Sequence, residues 1–237
     1  MTDEPRPPAP SAAGSAEQQL LGGLGQRYAR GTLEFERFAF FSDAVYAIAL
    51  TLLVVGIAVP TVGDVRDAGE MWDTLLDLKH EFISFFVGFA VIGRYWLAHH
   101  RIVAVLSAVD APLMTVNLVY LAFIAFLPFP TALVGRYEQN LVAFGFYALT
   151  LAVISFLETL LFVVAARRRL IPFTVPRDVA RFGLVASTLP VAVFLLSIPL
   201  ALATNSTVGL LSWILIWPLE ALLDRYKPVS SDILPRA

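Results

Sequence analysis

Six long apolar stretches constrain this chain more than any other feature. They fall at 38–59, 82–100, 112–134, 141–165, 182–203 and 208–223. A helix that crosses a bilayer needs roughly 20 mostly apolar residues. An α-helix also satisfies its own backbone hydrogen bonds, which lipid cannot do. Composition agrees: 58% of the 237 residues are hydrophobic and only 15% are charged, against about 25% charged in an ordinary soluble domain. The expected fold is all-α, a polytopic membrane protein with six transmembrane helices. Residues 1–32 are expected to be a flexible N-terminus, 33–225 the six-span domain and 226–237 a tail.

Orientation follows from the basic residues. With six spans both termini lie on one side. That side receives Arg6, Arg27, Arg30 and Arg37, then Arg101, then Arg167, Arg168, Arg169, Arg177 and Arg181, then Arg225, Lys227 and Arg236, which is 13 of the 17 basic residues. The opposite loops hold only Arg66, Lys79 and Arg136. Both termini are therefore expected in the cytoplasm of a multi-pass cell-membrane protein. Residues 1–25 are rich in Pro, Ala, Ser and Gly and lack the basic start and short apolar core of a signal peptide. The first span itself is the expected insertion signal. The loop at 60–81 differs from the others. Asp64, Asp67, Glu70, Asp73 and Asp77 alternate with Trp72, Leu75, Leu76 and Leu78, which suits a solvated loop, a short interfacial helix or an acidic outer mouth.

Ionisable groups inside spans are costly and rare. At a rise of about 1.5 Å per residue, Ser42 and Asp43, Arg94 and His99, Asn117 and Glu158 fall at similar depth near the inner ends of the first four spans. They are expected to form either a structural network or a proton or ion relay. His99 and His100 are adjacent and point about 100° apart, a poor chelating pair, so no metal is expected. There is no cysteine, no phosphate-binding glycine loop and no nucleophile motif, so neither an enzyme nor a cofactor is expected, and nothing points to nucleic acid.

At Arg37-x-x-x-Phe41-Ser42-Asp43, opening the first span, the chain resembles the transmembrane protein 175 family of potassium channels. The continuation Ala44-Val45-Tyr46-Ala47-Ile48-Ala49-Leu50, the second-span Trp96 and His99-His100, and Phe126-Leu127-Pro128-Phe129-Pro130-Thr131 also look like that family. The resemblance covers roughly 33–135 and thins to hydropathy beyond. It implies a potassium-permeable channel that is not of the usual tetrameric potassium-channel fold. The chain has one set of spans and looks like the prokaryotic type, which implies a homotetramer in the bilayer with four first helices around a central pore.

The resemblance further implies that Ile48, Thr51, Leu52 and Val55 line that pore. They sit at i, i+3, i+4 and i+7, on a helix face centred roughly 130° from Asp43. Arg37, Phe41, Ser42, Asp43, Arg94, Trp96, His99 and Asn117 are then a network supporting the pore helix. No Thr-Val-Gly-Tyr-Gly carbonyl filter is present. Rings of Ile48 or Leu52 would form a hydrophobic constriction passing potassium with only moderate preference over sodium. Thr51 adds one hydroxyl, unless it is spent on its own helix carbonyl. The rival expectation is a coupled secondary transporter using Asp43, Arg94, His99 and Glu158. It is weakened because the second three spans do not repeat the first three.

Overall fold

A computed structural model describes residues 26–63, 66–137, 139–172 and 177–226, with the side chains of 177–181 and 224 outside that description. Expectations for 1–25, for 227–237 and for Asp64 lie outside the described residues. Among those described, six helices are long and apolar enough to cross a membrane: Leu33–Gly56, Lys79–Val105, Ala111–Arg136, Leu141–Arg167, Phe182–Ala203 and Ser206–Leu223. These six are the spans of a polytopic, all-helical membrane fold.

The elements run β1 (Arg27–Ala29), α1 (Leu33–Leu52), a 3₁₀ turn (Leu53–Gly56), α2 (Ala68–Asp77), α3 (Lys79–Val105), β2 (Ala108–Asp110), α4 (Ala111–Phe126), α5 (Pro128–Arg136), α6 (Leu141–Arg167), α7 (Arg177–Ala203), α8 (Ser206–Ser212), a 3₁₀ turn (Trp213–Leu215) and α9 (Ile216–Asp224). The third span is α4 and α5 joined at Leu127. Pro128 is tolerated there because it opens the new helix, where its missing N–H has no intrahelical partner to lose. Four of the span starts are capped by side chains. Thr32 accepts from the Phe35 N–H, Asp110 from Leu113, Asn140 from Val142 and Ala143, and Asn205 from Val208.

α6 forms the centre. Its apolar window is 56% buried, against 17% and 11% for the fifth and sixth spans, and it packs between α4 and α7. α1 packs on α3 and α4 at one edge. Glycines mark close approaches, Gly88 and Gly209 among them. A Cβ on Gly88 would lie 2.6 Å from Thr131 Cγ2, and one on Gly209 would lie 2.6 Å from the Phe144 ring.

Residues 27–29, expected within a flexible N-terminus, form a strand. β1 pairs antiparallel with β2, Arg27 opposite Asp110. Arg30 donates to the carbonyls of Ala104 (2.7 Å) and Leu106 (3.5 Å), and Arg27 to that of Arg168 (3.0 Å). These carbonyls lie at the C-terminal ends of α3 and α6, where backbone acceptors lack helical partners. Arg168 donates to the fully buried Asp110. One end of the bundle is thereby tied together by N-terminal arginines. Asp110→Ala removes both the α4 cap and the Arg168 partner. It is expected to lower the melting stability of the purified protein by about 0.5–2 kcal/mol from the cap alone.

The pore-helix candidate and the network behind it

The first span divides cleanly into two faces. Phe35, Phe38, Ser42, Tyr46, Ala49 and Leu53 recur every three or four residues and are buried. The opposite face carries Arg37, Ala44, Ile48, Thr51, Leu52 and Val55, all exposed. Ile48 is 57% exposed and Val55 75%. The Thr51 hydroxyl donates to the Ile48 carbonyl at 2.8 Å, so its proton is spent on its own helix while its oxygen keeps free lone pairs.

One adjustment to the expected stripe comes from helix geometry. α1 ends at Leu52, and Leu53–Gly56 continues as a 3₁₀ turn. In a 3₁₀ turn residues three apart eclipse, so Val55 stands nearly above Leu52 instead of continuing the α-helical spiral. Ile57 is already extended, and the expected first span to residue 59 stops short. Val59 is not helical. Gly56 lies against α5, where an added Cβ would come within 2.9 Å of Ala132.

Behind the buried face lies a directed chain of hydrogen bonds. Asn117 Oδ1 can only accept, so His99 Nε2 donates to it at 2.8 Å. Asn117 Nδ2 donates to Ser42 Oγ at 3.0 Å, and Ser42 donates to the Phe38 carbonyl at 3.0 Å. Three spans are joined by residues that are all about 2% exposed or less. His99 stacks on Tyr120, ring centroids 5.6 Å apart and nearly parallel at 8°, and the Tyr46 and Tyr120 hydroxyls meet at 2.6 Å. Nothing in hydrocarbon would substitute for these bonds.

Not every residue expected in that layer joins it. Asp43 accepts from the Trp96 indole N–H at 2.9 Å, and Trp96 in turn lies against His100. Arg94 does not reach Asp43; it pairs with Glu220 of the sixth span at 2.9 Å. The reason lies in the helix. Arg94 and Trp96 are two residues apart, about 200° around α3, so the side offering Trp96 and His99 to α1 turns Arg94 away. Glu158 has a buried Oε1 without a hydrogen-bond partner. Arg37 and Phe41 are exposed and do not join the Ser42–Asn117–His99 hydrogen bonds. The single expected layer is therefore three separate groups: Ser42–Asn117–His99, Asp43–Trp96 and Arg94–Glu220.

Three participants escaped the sequence reading. Tyr46 follows Ser42 by four residues and Tyr120 follows Asn117 by three, so both share the faces already singled out. Glu220 is a carboxylate within the short sixth span, a signal in itself. Tyr95 also ties the second span to the fourth, bonding Ser155 Oγ at 2.8 Å and the Leu151 carbonyl at 3.1 Å.

Comparison with known proteins gives the same grouping. The family described as endosomal/lysosomal potassium channel TMEM175 matches residues 37–128. A potassium channel of Streptomyces collinus is 36% identical over 107 residues, which is 45% of this chain and 50% of that protein. A potassium channel of Chamaesiphon minutus is 39% identical over 118 residues, 48% of this chain and 58% of that protein. The chain thus spans about half the length of the curated relatives it matches. Across the fold the likeness is wider. The crystal structure of a lysosomal potassium-selective channel TMEM175 homolog from Chamaesiphon minutus superposes with a TM-score of 0.62 at 27% identity, covering 84% of this chain and all of that one. Over its first three spans the chain is similar to the transmembrane protein 175 family, and it shares a six-span architecture with the whole of a solved homolog of that family.

Proposed function

We propose that this protein is a potassium-permeable cation channel in which four copies surround a central pore lined by the first span. The observation that carries this is the exposed stripe of Ile48, Thr51, Leu52 and Val55 on a helix whose opposite face is locked by buried polar contacts. α1 sits at the edge of its own protomer with that stripe turned outward, where a symmetric assembly would bring four of them together. The potassium channels it resembles support the choice of ion. Both termini are assigned to the cytoplasm, because N-terminal Arg27 and Arg30 share one end of the bundle with Arg168.

The constriction is assigned to Ile48 and Leu52. Their side chains offer no ligand to an ion, so selectivity over sodium is moderate and depends on width and hydration. A transporter would need the intramembrane polar groups to communicate. Arg94 and Asp43 are instead bonded to different partners on different spans, which weighs against a relay.

The test is the purified full-length protein in a planar bilayer with a potassium gradient. Current reversing close to the potassium equilibrium potential is expected. Flux that requires the gradient of a second ion would overturn the channel reading. Thr51→Val keeps the shape and removes the lone pairs. It is expected to leave conductance in place and reduce potassium preference about two- to tenfold, the size of one hydroxyl contact of about 0.5–1.5 kcal/mol. An unshifted reversal potential in mixed potassium and sodium would show that the hydroxyl plays no part.

A further inference from the structure

The helix α2 (Ala68–Asp77) stands outside the bundle: none of its residues is buried. Its side chains are nevertheless sorted. At about 100° per residue, Ala68, Met71, Trp72, Leu75 and Leu76 occupy one arc, and Glu70, Asp73, Thr74 and Asp77 the opposite one. Trp72 is 64% exposed and Leu76 52%. The helix is built to stand in place, since Asp67 caps it by accepting from the Gly69 and Glu70 N–H groups at 2.8 and 3.1 Å.

Its position is set by the chain itself. A single residue, Leu78, links α2 to the second span. The Leu78 N–H donates to the Leu75 carbonyl, and the Leu78 carbonyl accepts from Phe82 N–H at 3.0 Å, so one helix ends where the next begins. The first turns of that span present Phe82, Ile83 and Phe86 outward. The apolar surface of a membrane-crossing helix therefore continues directly toward α2, leaving it no length of linker with which to leave the membrane boundary.

We propose that α2 is an interfacial helix whose partner is the bilayer surface. Met71, Trp72, Leu75 and Leu76 sink about 5–10 Å into the boundary between headgroups and acyl chains, and the acidic arc faces water. The helix contains no Lys or Arg, so attraction to anionic headgroups contributes nothing. Apolar burial and the amphipathic indole of Trp72 supply the binding. Zwitterionic lipid is then sufficient.

The chain has no cysteine, so single nitroxide labels can be placed on the full-length protein in phosphatidylcholine vesicles. The variants Met71→Cys, Trp72→Cys, Asp73→Cys, Leu76→Cys and Asp77→Cys all lie at exposed positions. Relaxation by oxygen, which concentrates in lipid, is compared with relaxation by a water-soluble nickel chelate. The oxygen-to-nickel ratio is expected to be severalfold higher at 71, 72 and 76 than at 73 and 77, and unchanged when phosphatidylglycerol is added. High nickel access on both faces would overturn the proposal in favour of a solvated helix. Low access to both agents at 71, 72 and 76 would overturn it in favour of packing against protein. A pattern that needs phosphatidylglycerol would overturn the apolar mode of binding.

Discussion

Ile48→Asn is expected to raise single-channel conductance severalfold while leaving protomer stability nearly unchanged. Ile48 is 57% exposed on the protomer and packs into no buried core. Substitutions away from core contacts usually alter stability by less than about 0.5 kcal/mol. The effect on conduction has a different origin. In the proposed tetramer, four branched alkyl side chains at one level make a surface that water leaves readily, and an ion crossing it must carry its hydration through a poorly wetted zone. An amide at each position holds water there. Recording potassium current from the variant in planar bilayers checks this. Unchanged conductance would move the constriction to Leu52 or away from this face altogether.

The second large effect lies behind the first span. Asn117→Leu is expected to destabilise the protein by about 1–3 kcal/mol, the cost of leaving a buried polar group unpaired. Asn117 is 2% exposed and serves two spans, accepting from His99 and donating to Ser42. Its loss orphans the His99 N–H where no water can replace the partner. Single interhelical hydrogen bonds in membranes average only about 0.6 kcal/mol, so most of the effect comes from the orphaned donor. That reasoning makes a sharper claim. Combining Asn117→Leu with His99→Phe removes donor and acceptor together and is expected to recover much of the lost stability. Thermal unfolding of the variants in one detergent measures it. A double variant worse than the single one would show that the orphaned His99 donor is not the main cost.

The candidate site was legible in part. Ser42, His99 and Asn117 were readable as one layer because depth depends only on counting residues from a span end. Their pairing was not, because depth says nothing about which way a side chain points around its helix. Arg94 illustrates the difference. Depth places it beside Asp43, but its angle on α3 sends it to Glu220. The angle between Arg94 and Trp96 was available from spacing. The position of the sixth span that receives it was not. Val55 shows a second limit, since the change to a 3₁₀ turn after Leu52 accompanies the close approach of Gly56 to α5, a contact between residues far apart in the chain.

The sequence by itself determined the number of spans and the stretches that can enter lipid. Both rest on local free energies: a run of apolar residues has no other low-energy place. Only the tertiary structure decided which polar groups meet, that residues 27–29 fold back onto 108–110, and which face of the first span its own protomer leaves uncovered. Those outcomes depend on packing between distant segments, where many azimuthal arrangements share one hydropathy pattern and only close contact selects among them.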